Sequence, residues 1–257
     1  MDYLQINRDT WNKRTAVHVK SDFYDVDGFL GGRNVLNPIE LSEIGDVTDK
    51  SLLHLQCHFG LDTLSWARLG AQVTGVDLSD SAIKAARDLQ QKSNILNAEF
   101  ICSDVYQFGE NSKTEFDIVF TSYGVICWLP CLDKWAQVIA NSLKSGGMFY
   151  IAEFHPVYDI VSGYSYFSSD EPDIEEEQTY TENSGTETSK VVLWPHPISE
   201  VLNALIKAGI RINSFNEYPY SPYNCFDGLE EKEQGKFYLK HNDQNVPLIY
   251  SIKGTKI

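Results

Sequence analysis

The sequence has 257 residues, 42% of them hydrophobic, with 36 acidic side chains against 21 basic ones and a formal charge of −15. That length suffices for one large α/β domain or two small ones with a sizeable core. A surface this acidic repels phosphate backbones and disfavours DNA or RNA as a substrate, and no stretch approaches the roughly 20 continuous apolar residues of a bilayer span.

The first residues, MDYLQINRDTW, carry no apolar signal core. Residues 4–19 read as a helix with Trp11 and Val17 on its apolar side, followed by an irregular aromatic segment, Phe23-Tyr24-Asp25-Val26. Glycines 28, 31 and 32 with Pro38 make 28–38 a loop. Strand patterns then recur at 51–55, 72–76, 98–102, 116–121 and 147–154, with helical patterns between them. In 79–92, Ala82, Ala86 and Leu89 share a face, and Ser79 suits the N-cap. In 131–143, Leu132, Trp135, Ile139 and Leu143 form an apolar stripe, and Gly146-Gly147 are expected to end the element. Strands alternating with helices at this spacing predict a parallel sheet with right-handed crossovers and helices on both faces.

After the fifth strand the rhythm breaks. Residues 156–190 read as an insertion, with no basic residue from Asp170 through Glu187. A solvated acidic loop or flap is the plain reading, and a substrate-covering lid is the alternative. A helix is expected at 198–208, with Ile198, Leu202, Leu205 and Ile206 inward and Gly209 as its stop, then strands at 211–217 and 247–253. The expectation is a single domain over 1–257, with an N-terminal cap at 1–45 and the insertion at 156–190. Five scattered cysteines (57, 102, 127, 131 and 225), odd in number, fit reduced thiols. Together these features predict a cytoplasmic protein, monomer or homodimer, with no membrane partner.

Residues 52–78 carry most of the functional signal. A short strand, Leu52 to Leu55, enters a turn at Gln56 to Gly60; a helix follows, and a second strand ends in Val76-Asp77. Such a turn lets a ligand approach the backbone at a helix N-terminus, and an acid about twenty residues on holds a ribose diol. Only Gly60 in this turn is a glycine.

The motifs, taken in order, resemble those of class I S-adenosylmethionine-dependent methyltransferases. The family's first motif, an acid followed by three alternating glycines, is matched by His54-Leu55-Gln56-Cys57-His58-Phe59-Gly60, with the acid and two glycines replaced. The second stands as Gly75-Val76-Asp77-Leu78-Ser79, the third as Cys102-Ser103-Asp104-Val105. The fourth strand leads into Thr121-Ser122-Tyr123-Gly124, and Leu143 to Phe149 resembles an L-x-x-G-G motif. The resemblance implies a Rossmann-like seven-stranded, mostly parallel sheet whose last strand is antiparallel. It implies S-adenosylmethionine as cofactor, S-adenosylhomocysteine as product and a small-molecule methyl acceptor. It places Gln56, Cys57, His58, Phe59 and Gly60 along the methionine portion, Asp77, Leu78 and Ser79 at the ribose, and Ser103, Asp104 and Val105 at the adenine. Thr121, Ser122 and Tyr123 fall at the ligand end of the sheet, and Trp11 and Tyr24 close over the cofactor or are plain core.

Alternatives stand beside these readings. Asp77 and Asp104 could each be a helix N-cap. His54, Cys57 and His58 have zinc-ligand chemistry, but strand alternation sends His54 and Cys57 to different faces, and no metal is expected. Methyl transfer from a sulfonium needs positioning more than a base. Should the acceptor need one, Glu153 and His155 at the end of strand five come first, then Tyr123 and His18. The rival functions are a nicotinamide-dependent oxidoreductase, for which Gln56 to Gly60 is a poor G-x-G-x-x-G turn, and a methyltransferase-like module that binds an adenosyl ligand without catalysis. Asn/Asp-Pro-Pro-aromatic, the base-gripping motif of amino-methylating DNA enzymes, is replaced here by Thr121 to Gly124.

Overall fold

The computed structural model describes residues 1–257. Seven strands form the main sheet: β1 (Ser51–Leu55), β2 (Gln72–Asp77), β3 (Ala98–Cys102), β4 (Phe116–Ser122), β5 (Leu143–Phe154), β6 (Ile210–Tyr218) and β7 (Ile249–Lys256). Their order is β3-β2-β1-β4-β5-β7-β6. The first five strands are parallel, and β7 runs antiparallel to both β5 and β6. The sheet is the expected Rossmann-like one.

Strand alternation divides the core. Leu53 and Leu55 pack with Trp135, Ile139 and Leu205 from helices α7 (Leu132–Ser142) and α9 (Ile198–Lys207). Leu52 packs on the other face with Leu64, Trp66, Ala82 and Ala86 from helices α4 (Leu61–Arg68) and α5 (Asp80–Lys92). The turn 56–60 links β1 to α4 on the Leu52 face, the same face on which Phe29 and Ile44 pack before β1. Ser79 caps α5, its hydroxyl accepting from the Ala82 N–H.

The remaining helices are α1 (Tyr3–His18), α2 (Val26–Leu30), α3 (Pro38–Ile44), α6 (Val105–Asn111) and α8 (Val157–Val161). The stretch 28–38 read as a loop thus begins inside α2, and α3 carried no clear periodic signal in its seven residues.

Three further expectations are corrected. Gly146 and Gly147 do not end α7; they lie inside β5, which begins at Leu143, where the register against β4 shifts between Phe116 and Ile118. Gly146 takes a φ of 77°, the property a bulge and a helix stop both require. Residues 156–190 are not a plain loop. They hold α8 and the start of a hairpin, Asp173–Glu177 against Ser189–Leu193. That hairpin docks on α1: the Asn7 amide exchanges hydrogen bonds with the Val192 backbone, and Thr10 Oγ1 donates to the Lys190 carbonyl. Ile206, expected inward, is 57% exposed at the edge of α9.

Candidate active site

The turn after β1 keeps its backbone shape with one glycine. Gln56, His58 and Gly60 take φ values of 56°, 50° and 80°, so the left-handed conformation recurs at alternate residues. Each non-glycine residue held there costs roughly 1–2 kcal/mol. The side chains offset part of that cost. Gln56 Nε2 donates to the Val125 carbonyl at 2.9 Å, and His58 Nε2 lies 2.9 Å from His18 Nδ1. Gly60 is fixed by packing, because a Cβ there would stand 2.7 Å from the Phe100 ring.

Asp77, at the end of β2, braces this turn. Its Oδ2 accepts from the His58 N–H at 2.7 Å and its Oδ1 from the Ser79 N–H at 2.8 Å. A carboxylate oxygen has a second acceptor site, so both can still receive a donor from the cavity. Burial pushes the Asp77 carboxyl up to about 6, against the opposing pull of the two N–H groups. Asp104 does cap a helix, α6: its Oδ1 accepts from the Tyr106 and Gln107 N–H groups. It also faces the cavity, so the two readings of this acid are compatible.

At the end of β4, Thr121 turns inward and donates to the Leu55 carbonyl at 3.2 Å. Ser122 Oγ donates to Asp62 Oδ2 at 3.1 Å, and Tyr123 donates from its hydroxyl to Glu40 Oε2 at 2.8 Å. Tyr123 has a φ of 36°, a strained value for an aromatic residue. Glu40 is fully buried, and burial first, then the nearby Asp62 charge, pushes it up to about 8.

These groups surround one cavity of about 640 Å³, within the range of small-molecule sites. Gln56, Cys57, His58, Phe59, Gly60, Asp77, Leu78, Ser103, Asp104, Val105, Ser122, Tyr123, Trp11 and Tyr24 all line it. Ser79 and Thr121 lie behind the lining. Of the four candidate bases only Tyr123 reaches the cavity. Glu153 is taken up by backbone: one oxygen accepts from the Gly124 and Phe154 N–H groups, the other from those of Val125 and Ile126. His155 is held between Glu217, 2.8 Å from its Nε2, and the Val157 N–H. His18 sits one residue back, behind His58.

His54 and Cys57 lie on the same side of the sheet, contrary to the alternation argument, because the strand stops at Leu55 and Gln56 reverses the backbone. His54 Nδ1 and Thr63 Oγ1 share a hydrogen bond of 2.8 Å, so His54 ties the strand to α4 and does not bond the loop backbone. No group of three or more His, Cys, Asp or Glu is arranged to hold a metal ion.

Several cavity residues had no motif to announce them. Arg14 bridges the rings of Trp11 and Trp128, at 5.4 and 5.6 Å, and pairs with Glu177 at 2.6 Å. Tyr180 and Tyr223 come from the insertion and from the segment before β7. Only Asp62, two residues beyond Gly60, was within reach of the first motif.

A methyltransferase domain family matches residues 53–151. A ubiquinone biosynthesis O-methyltransferase of Idiomarina loihiensis is 29% identical over 136 residues, covering 51% of this chain and 55% of that protein. The chain thus aligns with about half the length of the curated relatives it matches. Among solved structures, a putative S-adenosylmethionine-dependent methyltransferase of Listeria monocytogenes superposes with a TM-score of 0.61 at 19% identity, covering 85% of this chain and 97% of its own. A glycopeptide N-methyltransferase complexed with S-adenosylmethionine gives 0.54 at 14% identity, covering 84% and 90%. Residues 53–151 are thus similar to a methyltransferase domain, and the sheet has the fold of these solved S-adenosylmethionine-dependent methyltransferases.

Proposed function

We propose that the protein transfers a methyl group from S-adenosylmethionine to a small-molecule acceptor. One observation carries this reading: Asp77 grips the backbone of the left-handed 56–60 turn, so ribose acceptor and methionine cradle form one rigid unit on the cavity surface. The residues present fit the cofactor. Asp77 offers spare acceptor sites to a diol, and Asp104 Oδ2 has no partner within the chain and is free for an amino group. Both cavity arginines are already paired, Arg14 with Glu177 and Arg33 with Asp25, which leaves the acids to favour a cationic ligand.

When bound, S-adenosylmethionine supplies a methyl group on a sulfonium leaving group. The chain's own work is positioning and exclusion of water. Trp11, Tyr24 and Tyr180 close one side of the cavity, with α1 and the 173–193 hairpin as the proposed cap. Tyr123, held by Glu40, is the hydroxyl placed to orient an acceptor oxygen or nitrogen by a hydrogen bond, and burial keeps it neutral. Tyr223, Phe154 and Phe226 give the acceptor side an aromatic surface, which suits a partly apolar molecule such as the relatives' names suggest.

Calorimetry with S-adenosylmethionine, S-adenosylhomocysteine and NAD tests the reading. Binding of the first two in the micromolar range, with none of NAD, is expected, and Asp77→Ala should abolish it. Failure to bind either adenosyl compound would overturn the proposal; turnover across a metabolite panel then separates an enzyme from a binding module.

A further inference from the structure

Asp62 opens α4 and lines the cavity, yet the structure gives it a single hydrogen bond, from Ser122 Oγ to Oδ2. Oδ1 has no partner. No cation reaches it either, since Arg14 and Arg33 are engaged elsewhere. Nearby polar atoms of the same cavity are also unpartnered: Gln56 Oε1, and Nε2 of His54, which is 1% exposed. Thr63 links His54 to the helix turn that carries Asp62. Tyr24 and Tyr223 also line the cavity, close enough for the Asp62 charge to act on both hydroxyls. A carboxylate with a free oxygen, an unused amide acceptor and aromatic faces together select a cation that carries N–H donors.

Burial pushes the Asp62 carboxyl up to about 6, against the pull of the Ser122 hydroxyl, so it is still largely ionised at neutral pH. The first motif shows the complementary change. Its initial acid is replaced by His54, kept neutral by burial, and Asp62 adds a carboxylate two residues beyond the turn.

We propose that Asp62 is an ammonium-binding carboxylate, the ionic anchor of this cavity. Its place in the sheet limits the source of the ammonium. Asp77 and Asp104 follow β2 and β3, whereas Asp62 is tied through Ser122 to β4, on the other side of β1. Two ammonium groups can reach that end: the α-ammonium of the cofactor's methionine portion, and that of an amine acceptor. The first source rests on the adenosyl reading above; the second does not.

The experiment compares wild type with Asp62→Asn, which keeps an acceptor for Ser122 and removes the charge. Thermal melts establish that the variant is folded. S-adenosylhomocysteine and its analogue lacking the α-amino group are titrated into both proteins. If the cofactor supplies the ammonium, wild type prefers S-adenosylhomocysteine by about tenfold to a hundredfold, and Asp62→Asn binds both compounds alike. In the second arm, 2-phenylethylamine and 2-phenylethanol are titrated into free and S-adenosylhomocysteine-loaded protein. An amine preference that the variant loses assigns the site to an acceptor. If wild type binds no adenosyl compound, the adenosyl reading falls and the amine arm on free protein decides Asp62 alone. Unchanged discrimination by the variant in both arms, or none in wild type, overturns the proposal.

Discussion

Nδ1 of His18 lies 2.9 Å from Nε2 of His58, so the last turn of α1 is bonded to the middle of the 56–60 turn. The other His18 nitrogen reaches Thr179 Oγ1 at 2.5 Å, which ties in the insertion as well. Such a contact needs one ring to accept, so at least one imidazole must be neutral. Burial lowers both: His18 falls to about 3, helped by the Arg14 charge, and His58 falls well below its ordinary value.

That pair makes the clasp sensitive to acid. Between about pH 3 and the ordinary histidine value near 6.5, the unfolded chain binds a proton at His18 that the folded chain refuses. The stability from neutral His18 is therefore complete above pH 6.5 and is lost as pH falls, by up to about 1.4 kcal/mol per pH unit. Denaturant melts of wild type and His18→Phe at pH 7.5 and 5.0 should show wild type losing ground at the lower pH. A gap between the two that does not change with pH would contradict the assignment.

The turn itself predicts an unusual order of stabilities at position 56. Gln56→Gly loses the hydrogen bond to Val125, worth about 1 kcal/mol, but relieves the left-handed strain. Gln56→Ala loses the same bond and keeps the strain. Chemical denaturation should therefore rank glycine above alanine by about 1 kcal/mol, with glycine near wild type. The reverse order would mean that the turn does not hold Gln56 at positive φ.

The β1-turn-α4-β2 unit was legible because its signals are local: a short apolar run, a glycine, a helical period and a terminal acid. The glycine-poor turn was legible as an oddity, but its conformation was not, because Gln and His rarely report a positive φ. Contacts across the chain left no trace. His18 and His58 are 40 residues apart, Tyr123 and Glu40 are 83 apart, and Asn7 and Val192 are 185 apart. Glu153 looked like a base because it is an acid at a strand end. The structure shows that carboxylate occupied by four backbone N–H groups.

Glu153 should accordingly behave as a structural cap for the 124–126 turn. In Glu153→Gln the side-chain amide must point its NH₂ at N–H groups, leaving buried donors facing each other. A loss of about 2–3 kcal/mol is expected, from broken charge-assisted bonds and unsatisfied donors. Calorimetric melting would measure it. His155→Gln, which removes a partner of Glu217 away from the cavity, should leave S-adenosylhomocysteine affinity unchanged. Wild-type stability in Glu153→Gln would return that residue to the list of candidate bases.

Glu40 carries the opposite pH dependence from His18. Its Oε1 accepts from the Asn37 backbone N–H at 2.6 Å and its Oε2 from Tyr123, yet burial still holds the carboxyl up to about 8. Between its unfolded value near 4.5 and 8, the folded chain keeps a proton that the unfolded chain releases. The stability contributed by protonated Glu40 is complete below pH 4.5 and is lost as pH rises through 8. Glu40→Gln removes this titration with little change in shape, and the Gln amide can still pair with Tyr123. The variant should gain on wild type steadily from pH 5 to pH 8.5 in denaturant melts. A variant that tracked wild type over that range would show Glu40 to be ionised throughout and would contradict the raised carboxyl. Because the histidine and Glu40 slopes oppose one another, wild-type stability alone conceals both, and the differences against the single variants separate them.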